Sequence, residues 1–471
     1  MSRLRLLSSF ALVAATTALA ACGSSTSGAD SRSLGTDAAA GDDASDAGAE
    51  ASPGSTYPAF PVDAPQIQAN QKTVLASPVV VTVTWPGDAN ASTWEGLGDG
   101  IGASSYWSAT TAEYGVGPAT SGPSNHVRVA QPLPSSLSYT DLQNYVISAL
   151  SAATSADGGA PEAGAGDAGD AGGPNPAWPA PTLDSKGHSQ TIYSLFIASS
   201  TTVTDPGSGQ SFCTEGGLGY HDDVVVGGVD VTYAVTLECP SLNTPAIEET
   251  AVHETVEAAT NPYPESNSLG YVGFDPDHLA WDLYTGFNDE LADACQNWQD
   301  AYYQESGAFP YWVQRSWSNA AAKAGHDPCV PAAAGVYHGM TLFPSAESTV
   351  KVDLSAIGAP SATTQGFKVT VGKPLTFQVG FFSDASTAPW TIGYDFPAQT
   401  LLFGTTGSPL GNGKATVSID KKTGQNGDEA NVTVTVTQKG PGGFHVMAIT
   451  WDPPTQMGFL PHYLPIVLVD Q

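Results

Sequence analysis

One stretch constrains this chain more than any other: Glu248-Glu249-Thr250-Ala251-Val252-His253-Glu254-Thr255-Val256-Glu257-Ala258-Ala259-Thr260-Asn261-Pro262. Read as a helix, it places His253 and Glu257 four residues apart, one above the other on a single face, with Glu254 beside His253. Ile247, Ala251, Ala258 and the Val residues between them form an apolar side that another layer of structure has to cover. The polar face then offers two metal ligands one turn apart. Next to the first stands a carboxylate able to take a proton from an attacking water. Thr244 is the expected cap, Pro245 suits the first turn, Glu248 and Glu249 complement the positive end of the dipole, and Asn261-Pro262 stops the helix.

The chain has 471 residues and a formal charge of −31, with only 15 Lys and Arg. That length suggests two or three domains. The charge repels phosphate backbones and argues against nucleic-acid binding. No Gly-rich loop lies between a strand and a helix, so no nucleotide site is expected, and no G-x-S-x-G elbow supports a serine hydrolase.

Arg3 and Arg5 precede an apolar run from Leu6 to Ala21 that ends in Leu19-Ala20-Ala21-Cys22-Gly23. That ending resembles a bacterial lipobox, which implies cleavage before Cys22 and lipid on its thiol. The chain is then exported and lipid-anchored to the bacterial membrane, at the outer membrane or cell surface. Four other cysteines, Cys213, Cys239, Cys295 and Cys329, form an even set for an oxidising compartment. Proximity favours Cys213–Cys239 and Cys295–Cys329, although the sequence permits three connectivities.

Residues 1–22 read as the signal segment and 23–57 as an Ala/Gly/Asp/Ser linker. Residues 58–335 read as an α+β domain with a low-complexity insert at 153–180, and 340–471 as a β-sandwich of immunoglobulin type. In the α+β domain, Val79 to Trp85, Thr191 to Ala198 and Val224 to Leu237 are strand-like, and a second helix is expected from about Asn288 to Tyr303. Leu291, Ala294, Cys295 and Trp298 give that helix its buried stripe, while Glu290 and Asp293 share another face. Beyond His338 short strand-like segments alternate with turns: 350–354, 367–371, 375–381, 390–396, 415–419, 432–436, 444–451 and 463–469.

His253-Glu254-x-x-Glu257 followed by Asn288-x-Glu290-x-x-Asp293 resembles the gluzincin metallopeptidases. The resemblance implies a zincin-like fold in which His253, Glu257 and Glu290 bind the metal, Glu254 is the general base, and Asp293 orients the imidazole of His253. The chain departs from that group in carrying Glu257 where the second His stands. Over about residues 75–330 it also resembles the plant Exordium (phosphate-induced protein) family and its bacterial secreted relatives. The matching pieces are His253 to Pro262, Ala280-Trp281-Asp282 and Glu290-Leu291-Ala292-Asp293-Ala294-Cys295. To these are added Phe212-Cys213 before Gly219-Tyr220-His221, Val313-Gln314 with Trp317-Ser318-Asn319, and Ser105-Tyr106-Trp107 with Tyr114-Gly115. That family keeps Glu at the position of Glu257, and the resemblance implies an extracellular role linked to cell-wall growth.

One imidazole with two carboxylates neutralises Zn²⁺ and makes a harder site, so Mn²⁺ and Ca²⁺ stay open beside Zn²⁺. His221 is a second catalytic candidate, entering the cleft as an electrophile, or else bonding within its own loop. His278, in Asp275-Pro276-Asp277-His278, is an alternative ligand to Glu290 or belongs to a plain acidic loop. The expected function is a surface metal-dependent hydrolase, a zinc metallopeptidase, with a peptide or wall polymer as substrate. The alternative is a non-catalytic wall, matrix or carbohydrate binder on a degenerate zincin scaffold, with Trp94, Tyr106 and Trp107 contacting glycan.

Overall fold

The computed structural model describes residues 56–155, 177–205, 208–266, 268–285, 290–298, 300–343, 349–357, 359–396, 413–452 and 462–471. The expected signal segment with Cys22, nearly all of the linker, and residues 156–176 of the insert lie outside them. The chain is mixed α/β with substantial sheet content. Among the described residues no helix is long and apolar enough to cross a membrane.

Val79–Thr84 (β1), His126–Arg128 (β2), Thr191–Ile197 (β3), Gly219–Val226 (β4) and Val229–Leu237 (β5) form one sheet in the order β2-β1-β3-β5-β4. The first four in that order run parallel; β4 closes the edge antiparallel to β5. Gly227 and Gly228 join β4 to β5 with φ of 61° and 86°, the left-handed pair that a two-residue hairpin turn of matching twist requires. Alternate residues of the parallel strands face opposite layers. Val80, Ile192 and Ala234 point to a core shared with Ala91–Ile101 (α1), Ser105–Thr111 (α2) and Thr244–Thr260 (α4). Val81, Tyr193 and Val235 point to a second core under Tyr139–Ser155 (α3). Both faces are covered, which is why these strands are near-continuous apolar runs. Trp178, inside the expected insert, is buried against Tyr193 and belongs to this second core.

The cap of α4 lies one residue earlier than expected: Asn243 Oδ1 accepts the Ala246 N–H at 3.0 Å, and Thr244 already lies in the helix. Trp94, Tyr106 and Trp107 are at most 1% exposed, so they cannot contact glycan. Trp94 stacks on Phe196, and the Tyr106 hydroxyl donates to the Gln314 carbonyl at 2.7 Å.

The second helix does not form over the described residues of 288–303. A single 3-10 turn, Asp293–Cys295, is followed by a strand, Tyr302–Gln304 (β6), paired with Trp312–Gln314 (β7). The reason lies in the carbonyls of Leu291 and Ala292. A helix would offer them to residues 295 and 296, but here Leu291 accepts the Trp317 N–H at 2.7 Å, and Ala292 accepts the Cys295 N–H of a tighter turn at 3.0 Å together with Gln314 Nε2 at 2.6 Å. Much of the expected buried stripe survives without the helix, with Leu291, Ala294 and Cys295 fully buried. Cys295–Cys329 and Cys213–Cys239 are both disulfide-bonded, with Cα–Cα distances of 5.7 and 5.5 Å. Such bridges indicate a non-cytoplasmic location.

Towards the C-terminus, a pair of sheets encloses one core. One has the order His338–Leu342, Pro374–Ser383, Glu429–Gln438, Lys414–Ile419. The other has the order Phe367–Val369, Tyr463–Asp470, Phe444–Trp451, Trp390–Asp395, Thr423–Gly424. Phe381, Val432 and Val434 of the first meet Trp390, Ile449 and Ile466 of the second. His338–Leu342 and Ala362–Gln365 are strands that the alternating pattern did not mark. Leu279–Thr285 (α5) joins the two halves, with Leu279, Leu283 and Tyr284 packed against Val350, Phe444 and Val467.

Candidate metal centre

Helix α4 carries His253, Glu254 and Glu257 to the junction of three elements. Edge strand β4 runs along one side and brings His221; the segment 290–295 brings Glu290 and Asp293; β7 brings Gln314. His221, His253, Glu254, Glu257, Glu290 and Asp293 therefore gather at one place, although not in the arrangement expected.

The ring of His253 is aimed from behind. Gln314 Nε2 donates to the Ala292 carbonyl, which turns Gln314 Oε1 toward His253 Nδ1 at 2.9 Å. An amide oxygen only accepts, so Nδ1 carries a proton and the inner nitrogen, Nε2, faces the centre, free to take either a proton or an ion. Nε2 lies 3.0 Å from Glu257 Oε2 and 3.4 Å from Asp293 Oδ1. Glu257 is itself held, because its Oε1 accepts the N–H groups of Ala292 and Asp293, each at 3.0 Å. Asp293, expected behind the imidazole, thus stands in front of it, and Gln314 fills the orienting position. Glu290, expected as a ligand, instead accepts Asn261 Nδ2 on Oε1 at 2.5 Å, with His221 Nε2 at 3.6 Å.

His221 is aimed in the same way. Its Nε2 donates to the Asn261 carbonyl at 3.1 Å, leaving Nδ1 facing Glu254 Oε2 at 3.7 Å and Glu257 Oε2 at 3.9 Å. His221 does not bond within its own loop. His278 lies elsewhere, bonded through Nδ1 to Asp275 at 2.8 Å, and joins no ligand group among the described residues.

Two acidic/His groups have donor atoms close enough to hold a cation: His253, Glu257 and Asp293, and His221, Glu254 and Glu257. In the first, donors 3.0 and 3.4 Å apart match the spacing of about 3.3 Å around a tetrahedral ion bound at roughly 2.0–2.1 Å. In the absence of an ion, protons must separate these groups. Burial opposes charge on His253, but Glu257, Asp293 and Glu254 outweigh it and hold the ring protonated well above its ordinary range. Burial is likewise outweighed at His221, where Glu290, Glu254 and Glu257 raise the pKa to about 10. Burial, with repulsion from Glu257 and Asp293, pushes Glu290 up to about 8 despite the opposing pull of His221. A divalent cation would replace those protons.

Gln314 and Asn261 are the functional residues that sequence reasoning left without a role. Gln314 stands 61 residues from His253. The signal for it was its place in the family-like Val313-Gln314 pair; Asn261 stood in the family-like stretch His253 to Pro262 and was read as a helix stop.

No family model matches this chain, and no curated protein matches it. Among solved structures, the crystal structure of domains 4 and 5 of the S-layer protein SbsC is similar at 15% identity over 29% of this chain and 75% of that one, with a TM-score of 0.14. A likeness that slight assigns neither fold nor function.

Proposed function

We propose that this chain is an exported metal-dependent hydrolase that cuts peptide bonds in extracellular or wall-associated substrates. In this reading lipid on Cys22 anchors it to the membrane, residues 58–335 are a zincin-like, Exordium-like domain, and 340–471 are an immunoglobulin-like sandwich that carries it. The observation that bears most weight is the inner nitrogen of His253, Nε2, which stands against Glu257 Oε2 and Asp293 Oδ1 while Nδ1 is taken by Gln314. An acceptor aimed at two acceptors needs either a proton or a cation between them. Further support comes from the helix with its H-E-x-x-E face lying beside an antiparallel edge strand of a mixed sheet.

His253, Glu257 and Asp293 fit an ion of the Zn²⁺ class, and the share of carboxylates keeps Mn²⁺ and Ca²⁺ in contention. When bound, the ion would supply Lewis-acid polarisation of the scissile carbonyl. Glu254, one residue past His253, takes a proton from the attacking water and delivers it to the leaving amine. Gln314 and the backbone N–H groups of Ala292 and Asp293 hold the ring and the Glu257 carboxylate so that neither reorganises.

The test is cleavage of an unstructured protein such as casein by the purified chain. Activity should vanish with chelator, return with Zn²⁺ or Mn²⁺, and be absent in Glu254→Gln, whose fold is checked by circular dichroism. Cleavage that ignores chelator, or survives Glu254→Gln, would overturn the reading.

A further inference from the structure

The two groups of donors share Glu257 but keep their imidazoles apart, and the His221 group is not used by a single ion at His253. His221 is 4% exposed, and its inner nitrogen has carboxylate oxygens opposite it at 3.7 and 3.9 Å, beyond direct hydrogen bonding. Its outer nitrogen already donates to a backbone carbonyl. The arrangement repeats what Gln314 does for His253: an oxygen acceptor on the outer ring nitrogen, and carboxylates facing the inner one. The charges point the same way. Among the described residues the ion-pair partners of Glu254, Glu257, Glu290 and Asp293 are His221 and His253. No Lys or Arg is among those partners, so a cation, or protons on the two rings, must balance these carboxylates.

We infer that the centre is dinuclear: a second divalent cation is held by His221 Nδ1, Glu254 Oε2 and Glu257 Oε2, beside the first in His253, Glu257 and Asp293, with Glu257 bridging the pair. This rests on the metal-dependent reading above and deepens it. It makes His221 a ligand in place of an electrophile and ties Glu254 to the second ion through Oε2, so that Oε1 is the oxygen left to take the proton from the attacking water. Paired ions bridged by a carboxylate stand about 3.5–4 Å apart and clamp both oxygens of a displacement, which suits hydrolysis at a carbonyl or phosphoryl centre.

The test is metal stoichiometry on the full chain, by equilibrium dialysis against Zn²⁺ or Mn²⁺ and elemental analysis. The wild type should bind two equivalents, and the Mn²⁺ form should give the exchange-coupled paramagnetic resonance signal of a close pair. His221→Ala should bind one equivalent and lose the coupling, while His221→Asp, which restores a donor, should regain the second. Asp293→Asn should weaken the first position and spare the second. One equivalent in the wild type, unchanged by His221→Ala and lost in Asp293→Asn, would overturn the dinuclear inference and leave the hydrolase reading standing. A wild type that binds no metal would overturn both.

Discussion

His253 Nδ1 and Gln314 Oε1 lie 2.9 Å apart, and this one bond decides which nitrogen of the ring faces the carboxylates. It joins the middle of α4 to a short strand that follows the irregular segment, so the ring's orientation depends on the packing of both. Replacing Gln314 with Leu should lower metal affinity about 10- to 100-fold, the usual cost of losing the group that orients a metal-binding His. Gln314→Glu, which keeps an acceptor for His253 but gives up the bond to the Ala292 carbonyl, should recover part of it. Competition with a chromophoric chelator measures both; equal affinity in Gln314→Leu and wild type would show that the bond is idle.

Gly219 is closed in by Glu254, Thr250 and the Val235 carbonyl. A Cβ there would stand 2.7 Å from Glu254 Oε1, 2.7 Å from Thr250 Cγ2 and 2.8 Å from the Val235 carbonyl. Gly219→Ala should therefore cost about 1–3 kcal/mol in thermal or denaturant unfolding, in the range of overpacked sites. It should also reduce hydrolysis more than its stability loss explains, because Glu254 has to move. An alanine variant with unchanged unfolding and turnover would contradict this packing.

The metal-free protein should lose stability as pH rises. His221 has a folded pKa of about 10, above its ordinary 6.5, so its stabilising contribution is complete below pH 6.5 and fades as pH climbs toward 10. Glu290 is also raised, to about 8, the reverse of the usual carboxylate case, so it too favours the folded state at lower pH and adds to the loss between about 4.5 and 8. Melting temperatures in chelator should fall across pH 6.5–10, less steeply in His221→Ala. Added Zn²⁺ or Mn²⁺ should flatten the wild-type profile. A profile identical in wild type and His221→Ala would be the contrary result.

The Cys295–Cys329 bridge should matter to the site more than Cys213–Cys239. Cys295 is two residues from Asp293 and fully buried among Leu291, Ala294 and Trp317. Removing either bridge by paired Ser substitution should cost about 2–5 kcal/mol. Loss of the first should in addition weaken metal binding, since it frees the segment that supplies Asp293 and the N–H groups holding Glu257. Equal metal affinities in the two double variants would count against that coupling.

Much of the α/β half was legible. The apolar runs at Val79–Thr84 and Thr191–Ile197 are strands buried on both faces, and the Gly227-Gly228 pair marks its hairpin. Most of the short alternating segments past His338 became strands around one core. The described residues of 288–303 were misread because the helical spacing of Leu291, Ala294 and Cys295 comes from packing in a compact turn. The bonds that break the helix come from Gln314 and Trp317, which no window around residue 290 contains.

By itself the sequence determined that His253, Glu254 and Glu257 share a helix face and that a stripe of small and branched side chains buries the other. Both follow from a period of 3.6 residues, a purely local property. Tertiary structure decided which acid stands before the His253 ring and which behind it. It also decided that His221, on an edge strand, would look into the same space, and that Asn261 would hold Glu290 aside. Those outcomes depend on hydrogen bonds and ion pairs between distant segments, whose geometry exists only once the sheet, the helix and the cross-linked turn have packed together.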